Sequence, residues 1–259
     1  MWSDRRARTR STYVRRLAVV LATATLLVIS ACSTDTAPSG PTRVVGQWDM
    51  SARNGTVKDR SGSADLALTG GWSDVQGAVG RGVRFEYAGG PSFGTSGDDL
   101  AGSGDGNAPF AVAAYLKSDT VPVTSRYTPN IAQQGRFNGP TQWKMELWSR
   151  PSGALARCRF KGATAHHTVV EDPPTAIDDG HWHEIVCWRS RTSYGITVDG
   201  ASTSTTGTVG AIDFNQPLLV ANRTKSSGVG DQFQGTLDCL AYAQGVADPR
   251  ALVRSQVPC

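Results

Sequence analysis

Three features are scarce in this sequence: glutamate, long hydrophobic runs and helical periodicity. The chain contains four glutamates, Glu86, Glu146, Glu171 and Glu184, and none of them has a second glutamate in the same apolar stretch. A retaining glycosidase needs two carboxyl groups about 5–5.5 Å apart on either side of one bond. The sequence therefore does not favour such an enzyme, although catalysis by an unrecognised site stays open.

The uncharged apolar run at residues 17–29 is too short for a bilayer-spanning helix, which needs about 20 apolar residues. It follows an arginine-rich arm, and this order is typical of a secretory signal. The run ends in Ile29-Ser-Ala-Cys32, which resembles the lipobox of bacterial lipoproteins. Cys32 is therefore predicted to be acylated and residues 1–31 to be removed. A buried cysteine in a membrane segment is the alternative, and the pair Arg15-Arg16 leaves open export by the twin-arginine route.

Acyl chains on Cys32 would anchor the protein to a membrane, because each buried CH2 contributes about 0.8 kcal/mol. Residues 32–43 comprise this cysteine and a polar linker rich in Pro, Ser and Thr. The ten linker residues 33–42 reach at most about 35 Å when fully extended. We therefore expect an extracytoplasmic protein held near the membrane or in the surrounding cell wall.

Most of the excess positive charge belongs to the predicted signal. Residues 1–31 contain six Arg and one Asp, so the remainder has 20 basic and 21 acidic side chains, against 26 and 22 in the whole chain. The sequence pI of about 8.9 is thus mainly a property of the export segment. A nearly neutral mature protein gives no reason to expect nucleic acid as a partner.

Lipidation of Cys32 leaves four cysteines for an oxidising exterior, namely Cys158, Cys187, Cys239 and Cys259. Of the three possible connectivities we favour two bonds. Cys158–Cys187 would join two apolar stretches, and Cys239–Cys259 would fix the final residue to the body. Closing each loop would contribute roughly 3–4 kcal/mol in the chain-entropy description. A zinc site is the alternative, although these cysteines lack the close spacing usual for zinc.

From Val44 onward, short apolar stretches alternate with Gly, Asp, Asn, Ser and Pro, and residues 44–259 have the length of one all-β domain. The apolar residues Tyr194, Ile196 and Val198 alternate with small or polar ones, which is the pattern of a half-buried strand. The predicted fold is an all-β, two-sheet sandwich. The stretches predicted as strands are 44–50, 82–87, 110–116, 143–148, 156–160, 183–188, 194–198, 217–221 and 233–242.

Seven short segments follow one another in a recognisable order: 47–50, 57–62, 82–85, 110–115, 179–186, 196–200 and 233–238. The most specific are Asp179-Gly-His-Trp-His183, the later Val198-Asp-Gly200, and Phe233-Gln-Gly-Thr-Leu-Asp238. Together they resemble the LamG-like jelly-roll family of the concanavalin A-like lectin/glucanase superfamily. The resemblance spans residues 44–246. It implies a jelly roll of two antiparallel sheets, one of them concave and able to hold a ligand.

The resemblance also implies roles for particular side chains. Members often place a cysteine in each of two neighbouring strands, as Cys158 and Cys187 would be. Related jelly rolls often hold calcium between an acidic residue near the first strand and an aspartate in the last, and the matching residues are Asp49 and Asp238. The alternative is that these aspartates end a strand and cap a turn. The segment in which His181 and His183 flank Trp182 is implied to be architectural, with the tryptophan packed and an imidazole bonded to a neighbouring turn.

Aromatic side chains give the other functional clue. Trp143 and Trp148 lie at positions of opposite parity in one predicted strand, so they face opposite sides of the sheet. Trp143, Trp148 and Trp188 are the candidate ligand-binding residues, because outward-facing rings stack on sugars or grip a peptide. The alternative is that loops cover both faces.

These observations predict a cell-surface lipoprotein whose jelly-roll domain is a non-catalytic binding module for carbohydrate or an envelope protein, with calcium as a candidate cofactor. The alternatives are a glycan-active hydrolase or lyase with an unrecognised site, and a structural envelope component.

Overall fold

The described part of the molecule consists of β-strands joined by turns and loops. The computed structural model describes residues 43–87, 90–97, 100, 106–122, 128–172, 174–212, 216–224 and 231–245. The predicted signal, Cys32, the linker up to residue 42 and Cys259 lie outside these ranges, so their roles stay predictions. Within the described ranges, no helix has the length and apolar character needed to cross a membrane.

Sixteen strands account for the described fold. They are β1 (Arg43–Arg53), β2 (Thr56–Asp59), β3 (Leu66–Thr69), β4 (Trp72–Gln76), β5 (Arg81–Phe85), β6 (Phe93–Ser96), β7 (Phe110–Ser118), β8 (Asn130–Gly135), β9 (Gln142–Trp148), β10 (Leu155–Lys161), β11 (His166–Val170), β12 (His183–Arg189), β13 (Ser193–Val198), β14 (Ala201–Thr206), β15 (Leu218–Val220) and β16 (Gly235–Gln244). Every stretch predicted as a strand coincides with one of these elements, which confirms the all-β prediction.

The strands form one antiparallel hydrogen-bonded series that folds over itself into two layers. Their order is β11-β10-β9-β8-β15-β6-β3-β2-β1-β16-β7-β12-β13-β14, with β5 paired to β16 and β4 paired to β5. The two ends of the series face each other, because β10 contacts β13, and β11 contacts β13 and β14. One layer therefore contains β8 to β11 and the other contains β16, β7, β12 and β13, which is the predicted sandwich.

Large aromatic side chains fill the space between the layers. The ring of Trp143 in β9 lies 6.5 Å from that of Phe110 in β7 and 5.8 Å from that of Tyr242 in β16, measured between centroids. Phe160 of β10 lies 6.0 Å from Phe110. All four side chains are buried. Because the rings come from both layers, their burial stabilises the sandwich as a whole.

A disulfide joins the two layers beside this aromatic cluster. Cys158 of β10 is bonded to Cys187 of β12, with their Cα atoms 5.6 Å apart, which confirms the predicted pairing. The two strands lie in opposite layers, however, and not side by side in one sheet as the family resemblance implied. Cys239 lies in β16. Its predicted partner Cys259 is outside the described residues, so this second pairing stays a prediction.

Strand β13 is buried on both faces, whereas its alternating pattern suggested burial on one face. Ile196 and Val198 are buried as predicted, but Thr197 is only 4% exposed. Gly195 makes room for the indole of Trp188, since a Cβ atom at this glycine would lie 2.2 Å from the ring. The small residue therefore indicates a close approach of a large side chain and not a solvent-facing position.

His183 connects two of the segments that carry the family resemblance. It is 5% exposed. Its Nδ1 lies 2.7 Å from Asp199 Oδ2, and its Nε2 lies 2.9 Å from Asp179 Oδ1. Burial lowers the pKa of His183, but the hydrogen bonds with Asp199 and Asp179 outweigh this effect and raise it above the usual value. The imidazole is thus an architectural link to a neighbouring turn, as the resemblance implied.

Candidate functional site

One face of the layer containing β8 to β11 carries a row of charged and polar side chains. Residues opposite each other in an antiparallel pair share a face, and the register pairs Lys144 with Arg159 and Glu146 with Arg157. Trp143, which precedes Lys144 in β9, points to the interior. We call the outward-facing set the charged face: Gln133, Gln142, Lys144, Glu146, Trp148, Arg157, Arg159, Lys161, His166 and Thr168.

Glu146 lies at the centre of the charged face and is fully buried. The Nε of Arg157 donates to its Oε1 at 2.6 Å, and the Nε of Arg159 lies 2.5 Å from the same oxygen. Lys144 forms an ion pair with the other carboxylate oxygen, Oε2. One carboxylate therefore serves three cations, and the cluster carries an excess of positive charge.

The three cations determine the protonation state of Glu146. Burial raises the pKa of its carboxyl group, but the attraction of Lys144, Arg157 and Arg159 outweighs burial and leaves the pKa below its usual value. The group is therefore ionised at neutral pH. A general acid needs a pKa near the working pH, so this carboxylate is poorly suited to donate a proton to a glycosidic oxygen. It is the only carboxylate among the residues that define the charged face.

Trp148 lies at one end of the charged face, on the opposite side of the sheet from Trp143, as their opposite parity in the strand predicted. Its side chain is half-buried. The guanidinium carbon of Arg150 lies 3.5 Å from the ring centroid, and that of Arg157 lies 5.2 Å away. Such cation–π contacts contribute about 0.5–1 kcal/mol at exposed sites. They hold the ring in place beside the buried ion cluster.

The β8–β9 hairpin forms the other end of the face. Gly135 enters the turn with φ of +80°, and a Cβ atom there would lie 2.2 Å from the carbonyl oxygen of Thr141. The turn presents Phe137, which is 54% exposed. Its ring contacts His166 at 5.7 Å between centroids, and Lys161 Nζ lies 5.3 Å from its centroid. An exposed aromatic ring thus has contacts to two side chains of β10 and β11.

A pocket of about 340 Å³ opens at this hairpin. Such a volume falls within the range of about 300–1,000 Å³ usual for small-ligand sites. Its lining includes two arginines and the exposed phenylalanine, and Gln142 belongs to both the pocket and the charged face. We call it the Phe137 pocket, lined by Arg136, Phe137, Asn138, Gln142, Arg223 and Thr224.

Two of the three tryptophans predicted to contact a ligand are inaccessible. Trp143 is fully buried between the layers, where its indole N–H donates to Gln134 Oε1 at 3.4 Å. Trp188 is 1% exposed and packs in a small apolar cluster on the far side of the other layer, with Ala111, Ala113, Val186, Ala241 and Ala243. This corrects the expectation for both residues, because a buried ring cannot stack on a ligand. Trp148 alone keeps its place as a candidate.

The two predicted calcium ligands already have protein partners. Asp49 pairs with Arg60 and accepts a hydrogen bond from the backbone amide of Ser51 at 3.1 Å. Asp238 is 2% exposed and accepts from the amide of Val79 at 2.9 Å. The Arg60 guanidinium beside Asp49 fits an ion pair better than a calcium ligand set. Among the described residues, no group of three or more His, Cys, Asp or Glu is placed to hold a metal. Calcium binding stays a prediction.

The chain contains the letters of a nucleophile elbow at Gly90-Pro-Ser-Phe-Gly94, a match that the sequence analysis missed. Its structural context differs from that of a hydrolase. Ser92 is fully buried and its backbone amide donates to Gln232 Oε1 at 2.8 Å. It precedes strand β6, whereas a nucleophile elbow exposes its serine between a strand and a helix. Ser92 is therefore a buried structural residue, and the match to the motif does not indicate a nucleophile.

The ion cluster was also not identified from the sequence, although a signal for it was present. In β9, Lys144 and Glu146 alternate with apolar residues, and in β10 Arg157 and Arg159 flank Cys158. Once Cys158 is assigned to the interior by its disulfide, both arginines must face outward. The hairpin residues Arg136 and Phe137 gave no periodic signal.

The two-layer architecture places the molecule among jelly-roll β-sandwiches. A family model described as the concanavalin A-like lectin/glucanases superfamily matches residues 92–248, more than half of the chain. The chain belongs to this superfamily, which confirms the family resemblance. Among curated proteins, none matches the sequence.

Solved structures with the same fold include binding domains. The binding domain of Paraclostridial Mosquitocidal Protein 1 has a TM-score of 0.59 at 15% identity, covering 83% of this chain and 51% of that chain. Domain 4 of AbnA, an extracellular GH43 arabinanase from Geobacillus stearothermophilus in complex with arabinotriose, also has a TM-score of 0.59, at 14% identity, covering 83% and 97%. The binding domain of botulinum neurotoxin serotype D/C has a TM-score of 0.57 at 10% identity, covering 78% and 48%. The chain thus spans about half the length of the toxin domains.

Proposed function

We propose that this protein is a cell-surface lipoprotein whose jelly-roll domain binds carbohydrate without modifying it. The observation that carries the proposal is the charged face itself. It has an aromatic ring near each end, the half-buried Trp148 and the exposed Phe137, and its only carboxylate, Glu146, is held ionised by three cations. Rings that stack on sugars and polar side chains that bond hydroxyl groups are what a glycan-binding face needs.

The fold relatives support this proposal in a general way. One of them is an arabinanase domain solved with arabinotriose, and others are toxin binding domains. A binding module on a jelly roll is therefore compatible with this architecture, whereas the ligand of this chain has to be found by experiment. An envelope protein is the second candidate partner.

Residues 1–43 supply the location in this proposal. The basic arm, the apolar run and Cys32 fit a lipoprotein signal, and the polar residues up to 43 fit a linker. The domain would then work outside the cytoplasm, tethered to the membrane by lipid. Acyl chains, and not a protein segment, would make the membrane contact.

The test is a binding screen of the full chain, extracted in a non-ionic detergent, against neutral and acidic cell-wall and plant polysaccharides, with calcium or with chelator. Trp148→Ala should weaken binding at least tenfold if its ring lies against the sugar. Trp182→Ala is the matched control, because this half-buried ring stacks on Tyr115 at 5.3 Å outside the charged face.

Each result has a defined meaning. Equal loss in both variants would place the ligand elsewhere than at Trp148. A requirement for calcium would support a calcium site at Asp49 and Asp238. Binding that resists the chelator would favour a purely structural role for these two residues. Release of sugar ends from any bound polysaccharide would favour the enzyme alternative. Absence of binding to every polysaccharide tested would contradict the proposed carbohydrate binding and favour a protein partner or a structural role in the envelope.

A further inference from the structure

Positive charge is concentrated on the charged face and around the Phe137 pocket. Among the residues that the structure describes, the basic side chains there are Arg136, Lys144, Arg150, Arg157, Arg159, Lys161 and Arg223, and the acidic ones that pair with them are Glu146 and Asp231. The chain beyond residue 31 has 20 basic and 21 acidic residues. The excess on this face is therefore a local property and does not reflect the average composition.

Part of this charge is accessible to a ligand. Arg136 is exposed at the hairpin, and the side chain of Arg159 is 32% exposed although it also pairs with Glu146. Arg223 is 54% exposed and lies 2.9 Å from Asp231. The accessible guanidinium groups thus lie at two places, Arg136 and Arg223 at the Phe137 pocket and Arg159 on the charged face, and Gln142 belongs to both the pocket and the face.

We propose that the Phe137 pocket and Arg159 together bind an acidic polysaccharide, in which carboxylate or sulfate groups are carried on a chain of sugar rings. The inference rests on the proposed carbohydrate-binding function and specifies its ligand class. Arg136 and Arg223 bind an acidic group in the Phe137 pocket, the ring of Phe137 stacks on the sugar that carries it, and Arg159 binds the acidic group of a later residue.

The chemistry of arginine supports this assignment. A guanidinium donates two parallel hydrogen bonds to a planar carboxylate and also fits sulfate, and charge-assisted bonds of this kind are about twice as strong as neutral ones. Side chains that are partly buried are screened less by salt than fully exposed ones. The exposed ring of Phe137 distinguishes a sugar chain from a simple anion, because only the sugar offers C–H groups to stack on it.

The experiment measures affinity of the full chain, in non-ionic detergent, for polygalacturonate, dextran sulfate, unmodified dextran, neutral arabinan and polyglutamate. We expect at least tenfold tighter binding to polygalacturonate or dextran sulfate than to dextran, arabinan or polyglutamate, with the affinity decreasing as salt is raised. Comparing polygalacturonate with dextran sulfate identifies which acidic group is preferred.

Three variants locate the binding site. Arg136→Ala with Arg223→Ala should reduce acidic-polysaccharide affinity at least tenfold. Arg43→Ala with Arg53→Ala, at exposed positions of β1, removes the same charge and should leave affinity within twofold. Phe137→Ala should weaken polygalacturonate binding but leave the protein folded, because the ring is exposed; thermal unfolding of each variant checks this.

Several outcomes would overturn the inference. Equal effects of the two double variants would mean that net charge alone is responsible for binding. Binding of polyglutamate as tight as that of polygalacturonate would mean that the protein does not recognise the sugar. Binding of arabinan or dextran alone would reject the acidic ligand while leaving the proposed function intact. Binding of none of the polysaccharides would reject both.

Discussion

Glu146 is the counter-charge for three cations in a site from which water is largely excluded. Removing a charged group from water is costly, and a buried ion pair contributes little to stability unless its geometry is good. Removing one partner is strongly destabilising, because the remaining charges are left buried without an opposite charge. The carboxylate therefore keeps Lys144, Arg157 and Arg159 in place on the face.

Replacing Glu146 with glutamine should destabilise the protein by about 3 kcal/mol, within the range for breaking a buried pair. The measurement is the free energy of unfolding by denaturant at neutral pH. Glu86→Gln is the control, because Glu86 is 51% exposed and pairs with Arg84 at the surface, where an ion pair contributes about 0–1 kcal/mol. Equal values for the two variants would show that the three cations have another counter-charge.

His183 predicts a pH dependence of stability. Its pKa is raised in the folded protein, so its contribution is fully present below the unfolded pKa of about 6.5 and is lost as pH rises through the folded pKa. The hydrogen bond with His183 lowers the pKa of Asp179 to about 2, so that contribution is present above the usual 3.8 and is lost as pH falls towards 2. Stability should therefore be highest between roughly pH 4 and 6.5.

The check is a series of unfolding experiments from pH 5 to 9 on the wild type and on His183→Gln. The wild type should lose stability across this interval, and the variant should start lower and change less. Glu171 lies near this group and has its own pKa raised by burial, so the variant retains a weaker dependence at the acidic end. A variant with the full slope of the wild type would place the titrating group elsewhere.

The disulfide between β10 and β12 links a strand of the charged face to the opposite layer. Its cysteines are 29 residues apart in sequence. Closing a loop of this length stabilises the folded state by about 3.5 kcal/mol in the chain-entropy description.

Cys158→Ala with Cys187→Ala should lower the free energy of unfolding by about 3 kcal/mol. The same loss should follow in the wild type when this bond alone is reduced. If the variant were as stable as the wild type, the aromatic packing of Trp143 and Phe160 would by itself be sufficient to hold the layers together.

The strands that sequence patterns identified are those with apolar residues at regular intervals, such as β9 and β12. Strand β8 was missed because its sequence Asn-Ile-Ala-Gln-Gln-Gly is half amide. Gln134 is nevertheless fully buried, with its Nε2 donating to the carbonyl oxygens of Leu100 and Gln216 at 3.1 and 2.8 Å. Polar residues satisfied by distant loop carbonyls give no periodic signal, because their partners are remote in sequence. The same limitation applies to the Phe137 pocket, which combines a hairpin with residues near 223.

In the proposed lipoprotein, membrane anchoring depends on Cys32. Cys32→Ala should prevent acylation, so the protein should shift from the membrane fraction to the unprocessed precursor or the soluble fraction. The measurement is fractionation of cells followed by mass determination of the N-terminal peptide. Cys239→Ala is the control, because it removes a cysteine from β16 and leaves the predicted lipobox intact. A membrane-bound Cys32→Ala protein without lipid would contradict the lipoprotein assignment.

The alternation along β9 has a consequence for how this surface can evolve. Positions 143, 145 and 147 point to the interior, while positions 142, 144, 146 and 148 point to the charged face. Substitution of Gln142 or Trp148, which lie outside the buried ion cluster, would change the proposed ligand-binding face without changing the volume of the core. A one-residue insertion would turn the interior residues towards the face and the face residues towards the interior, so both the core packing and the charged face would be lost. Related chains should therefore diversify in ligand preference by substitution at positions 142 and 148, while the length of this strand stays fixed.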